Sequence, residues 1–224
     1  MTENTQLPVH EKGKPNDQII SYYTLRILIG AIGILLPLLV VIGKWVSNKT
    51  PALEYSISDY YDNGAAGDIL VGVLFVLGFF LLTYKGPEKI DNITADIGCV
   101  AALGVALFPT TATGWVHVIH FVFAMLLFSV FIFFSLVLFR KTDPSKSMTP
   151  EKKNRNYIYL SCGIIMAICI AAIAITVLFI DPSISDQYKL VYWFESIALV
   201  AFGISWITKS EMFYFRDKGS PTGD

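Results

Sequence analysis

Six long apolar runs, at 25–46, 68–84, 93–110, 117–139, 157–180 and 189–208, limit what this chain can fold into. Each is as long as a helix must be to cross roughly 30 Å of hydrocarbon at about 1.5 Å per residue. Where no water is available, a helix satisfies its own backbone amides, so each run predicts a membrane-spanning helix. The expected fold is therefore all-α: a polytopic membrane protein with a six-transmembrane-helix bundle over residues 23–210. Polar tails at 1–22 and 211–224 flank it. With 54% hydrophobic and 16% charged residues, the chain has too little polar material to cover a soluble globule. The connections are also too short to hold a second domain.

Charge alternates from one connection to the next. Lys12, Lys14, Arg26, Lys85, Lys89, Arg140, Lys141, Lys146, Lys152, Lys153, Arg155, Lys209, Arg216 and Lys218 fall on one side, fourteen of the seventeen cations. The other side carries Lys44, Lys49 and Lys189 against Glu54, Asp59, Asp62, Asp68, Asp181, Asp186 and Glu195. The positive-inside rule then predicts that both termini are cytoplasmic. Residues 1–22 show no apolar stretch followed by a small-residue cleavage site, so the first span itself is expected to insert the chain.

Several kinds of chemistry find no support. A net charge of −1 argues against a nucleic-acid-binding surface. No phosphate-binding loop, G-x-S-x-G, H-E-x-x-H or dinucleotide fingerprint is present. Cys162 and Cys169 lie about two turns apart on one span, too far to bridge, and Cys99 belongs to another. Small residues recur at helical spacing at Gly163, Ala167 and Ala171 and at Gly98 and Ala102, as expected of close helix packing. Pro37, following Gly30 and Gly33, is expected to kink the first span.

Ionisable residues at membrane depth are costly and are the candidates for function. His117 and His120 share a face at the start of the fourth span, Glu195 lies about two turns into the sixth, and Asp68 opens the second. All four fall toward the acidic side. Two imidazoles and two carboxylates suit a divalent transition metal, so His117, His120, Asp68 and Glu195 form one candidate metal set. They suit a proton relay equally well. Each also has a structural explanation. Asp68 favours a helix N-terminus, His117 fits a headgroup region, and His120 and Glu195 fit a buried hydrogen bond or ion pair that fixes helix registry.

The connection from Ser47 to Gly67 is longer than connectivity requires, a common property of lids. In one arrangement Tyr55, Ile57, Tyr60 and Tyr61 lie along the bilayer surface while Ser56, Ser58 and Asp59 point over the mouth of the bundle. The ligand-binding candidates are thus Ser56, Asp59, Tyr60, Asp68, His120 and Glu195, with His120 close enough to Glu195 to interact beneath the loop. On the basic side Asp96, Lys209 and Arg26 are expected to form a helix-end charge network.

The stretches SISDYYD (56–62), GDILVG (67–72), ALFPT (106–110), Arg155-Asn156 and WFESIALVAFGISWITKSE (193–211) resemble the DUF998-type family of bacterial six-helix membrane proteins. That family is distantly similar to DRAM/Sfk-like membrane proteins. The resemblance implies a six-helix bundle in the bacterial cytoplasmic (inner) membrane and the handling of lipid. Alkaline ceramidase-like hydrolases also carry intramembrane polar residues, but their histidine pattern is missing from the second and sixth spans. Three functions follow from these readings: binding of a lipid or small amphiphile in an outer-leaflet polar cavity, metal-dependent hydrolysis within the membrane, or a non-catalytic role in a membrane complex. Membrane lipids are the expected partners, together with a second copy or a membrane protein and without nucleic acid. The sequence names no cofactor.

Overall fold

In a computed structural model of the protein the described residues are 22–49, 52–111, 113–142 and 147–210. The expected tails, 1–22 and 211–224, lie outside them except for Tyr22, as does Lys146. Seven α-helices are described: α1 (Tyr22–Asn48), α2 (Ala65–Thr83), α3 (Lys89–Leu107), α4 (Trp115–Phe133), α5 (Pro150–Phe179), α6 (Pro182–Tyr188) and α7 (Leu190–Lys209). A 3₁₀ turn covers Ser58–Asp62, and a π-helical turn, Phe134–Leu138, extends α4. All except α6 are long and apolar enough to cross a membrane.

The six long helices close into a ring. α1 packs on α2, α2 on α3, α3 on α4, α4 on α5, α5 on α7, and α7 returns to α1. Successive helices run in opposite directions. Thr110 and Tyr192 both reach the 55–59 segment, which gathers the acidic connections at one end. At the other end Lys141 meets Glu88 at 3.1 Å, and Arg26 donates to the Lys209 carbonyl at 3.0 Å. Large apolar side chains such as Leu38, Val100, Val122, Ile168 and Phe179 are exposed on the ring's outer surface. A membrane protein presents such a surface to acyl chains.

Close backbone approach fixes the α1–α7 crossing. A methyl group at Gly30 would meet the Gly203 carbonyl oxygen, and one at Gly203 would meet that of Gly30. No other residue type allows that contact. α1 runs unbroken through Pro37, whose carbonyl accepts a 3.1 Å hydrogen bond from the Tyr192 hydroxyl. Of the small residues expected to pack α5, Gly163 is buried against Leu136 while Ala171 is exposed, so the stripe does not form one continuous contact.

Packing differs between the two ends. At the basic end Tyr84, Phe134, Phe139 and Trp206 pack edge-on or tilted with centroids 5.3–5.5 Å apart. There the π turn brings Leu136 onto Gly163 and joins α4 to α5. Lys152 donates to the Phe139 carbonyl and Arg140 to the Leu136 carbonyl, both at 3.1 Å, which satisfies oxygens left over at the helix end. α4 and α5 nonetheless meet least closely of all neighbours in the ring. Toward the acidic end a space opens between them.

Candidate functional site

The 52–63 connection folds into a cap over that space. Near the end of α1, buried Lys44 pairs with Glu54 at 2.5 Å, donates to the Ala52 carbonyl at 2.9 Å and lies 5.8 Å from the Tyr60 ring centre. Asn63 donates to Glu54 and to the Asp59 carbonyl, each at 3.1 Å. Asp59 accepts from the Ser56 amide at 3.1 Å and its hydroxyl at 2.8 Å, a local turn of the kind these side chains favour. Gly67 lets the Tyr61 carbonyl lie directly on α2, where a methyl group would overlap it.

Ile57 and Tyr60 point into the core, at 4% and 0% exposure. They do not lie along a bilayer surface, as one arrangement of the loop had them. The Tyr60 ring packs 6.2 Å from that of Tyr192, and its hydroxyl accepts from the Glu54 amide at 3.3 Å. Burial pushes that hydroxyl up to about 12, against the Glu54 hydrogen bond, which lowers it.

Groups from α3, α4 and α7 meet the cap from below. Glu195 Oε2 accepts from the Ile57 amide at 2.6 Å. His120, 2% exposed, holds Nδ1 2.5 Å from the Phe108 carbonyl and Nε2 3.1 Å from Ser58 Oγ. His117 places Nδ1 2.6 Å from the Thr110 carbonyl. A carbonyl oxygen only accepts, so both Nδ1 atoms carry protons, and in the neutral rings both Nε2 atoms are acceptors. Thr110 Oγ1 lies 3.2 Å from both the Ser58 carbonyl and Asp59 Oδ1. The α3–α4 connection is thereby tied to the cap.

Two cavities adjoin these groups. The larger, about 280 Å³, lies between α4 and α5 and is lined at its acidic end by Ser56, Ser58, Asp59, Thr110, His117, His120 and Glu195. Deeper along the helices its wall is apolar: Met125 and Phe128 from α4 face Ile170 and Ile173 from α5. The smaller, about 70 Å³, lies at the ring's centre among apolar side chains of α1, α2, α4 and α7. Ser58, Ala124, Phe128 and Glu195 line both, so Glu195 stands where the two adjoin.

Ser56, Asp59, His117, His120 and Glu195, all singled out in the sequence, therefore line one cavity. His120 and Glu195 share it through adjacent cap residues, Ser58 and Ile57, with no direct hydrogen bond between them among the described contacts. Two candidates lie elsewhere. Tyr60 turns its hydroxyl toward Glu54 and lines neither cavity, and Asp68 is exposed on the first turn of α2. Among the described residues no three His, Cys, Asp or Glu side chains are placed to hold a metal ion, so the set of His117, His120, Asp68 and Glu195 does not converge. At the basic end Asp96 is exposed beside Ile93 and Ile97, away from Arg26 and Lys209. The buried acid there is Asp91, which accepts from the Glu88 amide at 2.9 Å and lies 3.8 Å from Lys141.

Sequence reasoning did not find Thr110 or the Ile57 amide as partners in the site. Thr110 carries no charge, and an amide has no signature in sequence. Compared with known proteins, the chain matches no protein-family model, no curated protein and no solved structure.

Proposed function

We propose that this is an integral membrane protein that binds a lipid or small amphiphile in the cavity between α4 and α5. The observation that carries the reading is the polarity of this cavity along its length. One end gathers imidazole, hydroxyl and carboxylate groups beneath a folded cap, and the other is a slot between apolar side chains of two loosely packed helices. A soluble metabolite gains nothing from the slot, and a pure hydrocarbon gains nothing from the polar end. An amphiphile entering sideways from the bilayer satisfies both. The cation asymmetry supports an outer-face cap with both termini in the cytoplasm, and the resemblance to the DUF998-type family supports a bacterial cytoplasmic membrane.

The test is a search for bound amphiphile. Protein purified in mild detergent, then extracted with organic solvent, should release a lipid-class molecule in stoichiometric amount by mass spectrometry. Ile173→Trp, which fills the slot, should abolish its recovery. Equal recovery from both proteins would show that the molecule binds elsewhere.

A further inference from the structure

The hydrogen-bonding inventory of the larger cavity specifies the head of its ligand. No lysine or arginine lines it among the described residues. The hydroxyl of Ser56 is directed at Asp59, that of Ser58 at His120 Nε2, and that of Thr110 at the Ser58 carbonyl and Asp59. Both imidazole Nδ1 protons are committed to backbone carbonyls. Among the described residues the Tyr55 hydroxyl, 3.3 Å from Ser185, is the only lining side-chain donor not already directed within the cavity wall. Acceptors are in surplus. Glu195 uses Oε2 for the Ile57 amide, while Oε1 and His117 Nε2 have no hydrogen-bond partner among the described residues. Asp59 adds a second carboxylate.

A ligand head that brings only acceptors, such as a carboxylate or a phosphate, would find almost no donors here and would face two carboxylates. A hydroxyl supplies one donor. A primary ammonium supplies three donors and a positive charge, matching the surplus acceptors and both carboxylates.

Building on the amphiphile reading above, we infer that the cavity between α4 and α5 selects amphiphiles with a protonated amine head, held by Glu195 and Asp59, with the alkyl chain in the slot between Met125 and Ile173. Asp59 and Glu195 line the cavity from different elements. The cap contributes the first and α7 the second, so the bound head bridges the lid to the bundle.

Retention of radiolabelled probes by the full-length protein in phosphatidylcholine nanodiscs, relative to empty nanodiscs, tests this with four ligands of one chain length: dodecylamine, dodecyltrimethylammonium, dodecanol and dodecanoate. The wild-type protein should retain dodecylamine at least tenfold better than dodecanol or dodecanoate. Dodecyltrimethylammonium, with the charge but no N–H, should fall between. Glu195→Gln should remove most of the amine preference, and Asp59→Asn should lower the preference partially. Equal retention of all four probes, abolished by Ile173→Trp, would overturn the amine selectivity and leave the amphiphile site standing. Retention of none above empty nanodiscs would overturn both. The comparison of probes on the wild-type protein is decisive even if a variant fails to fold.

Discussion

The amide of Ile57 and the carboxylate of Glu195, 138 positions apart in the chain, are joined by a 2.6 Å hydrogen bond that pins the cap to the last long helix. A buried amide left without an acceptor costs about 1–3 kcal/mol. Glu195→Gln keeps an acceptor oxygen at this position and should lower stability by less than about 1 kcal/mol, whereas Glu195→Leu should cost about 2 kcal/mol. Thermal unfolding of the two variants in the same detergent decides it. Equal losses would mean that the hydrogen bond is not what holds the cap.

His120 and Ser58 form the second pin. His120→Phe leaves the Phe108 carbonyl and the Ser58 hydroxyl without their partner and should destabilise by about 2 kcal/mol or more, against about 1 kcal/mol for Ser58→Ala. In the double variant the losses should not add, because Ser58→Ala removes a hydroxyl that His120→Phe has already orphaned. Additive losses would show that the two side chains act independently.

Tyr60 makes stability depend on alkaline pH. Its hydroxyl is pushed up to about 12 in the folded protein, above its ordinary value near 10. The folded state therefore holds this proton while the unfolded chain releases it. The resulting stabilisation is complete below about pH 10 and is lost as pH rises toward 12. Tyr60→Phe should be less stable near neutrality, through loss of the Glu54 contact, yet should decline less steeply across that window. Parallel pH–stability curves would refute the assignment.

Gly203→Ala should force α7 away from α1, because the added methyl group meets the Gly30 carbonyl oxygen rather than a side chain that can move aside. The expected result is a loss of more than about 2 kcal/mol, or no folded protein. Gly72→Ala has open space around it and should be neutral or slightly stabilising. Melting temperatures of the pair test the crossing.

The orientation is open to chemical labelling. All three native cysteines are buried. Cysteines at Asp62 and Gln187, both exposed at the acidic end, should react with an impermeant maleimide on intact cells, and one at exposed Ser147 only after permeabilisation. The reverse pattern would invert the topology.

The six long helices were legible because hydropathy reports lipid exposure and burial alike. The run at 189–208 corresponds to Leu190–Lys209, and that at 117–139 to α4 with its π turn. The run at 157–180 misses the first two turns of α5, where polar residues continue the helix behind a Thr149 cap and Pro150. Hydropathy does not register a solvated extension, although cap and proline do signal its start. α6 was missed for the same reason, though Asp181 caps it, accepting from the Ser183 amide at 2.8 Å, and Pro182 begins it. In the site, the charged residues at comparable depth were visible in the sequence. The inward turn of Tyr60 and the outward turn of Asp68 were not, because they depend on how the 3₁₀ turn folds onto Gly67.

The Gly30–Gly203 crossing also has a bearing on biogenesis. α1 is made early, and the helix it must pack against is made last of the six long ones. At ordinary synthesis rates of about 5–20 residues per second, α1 and the finished cap wait many seconds for α7. Until then the ring is open, the Ile57 amide lacks its Glu195 acceptor, and the glycine face of α1 is bare. A chain arrested after α5 would display those features together, the mark of an unfinished ring. The final helix thus completes the site and hides that mark in one step.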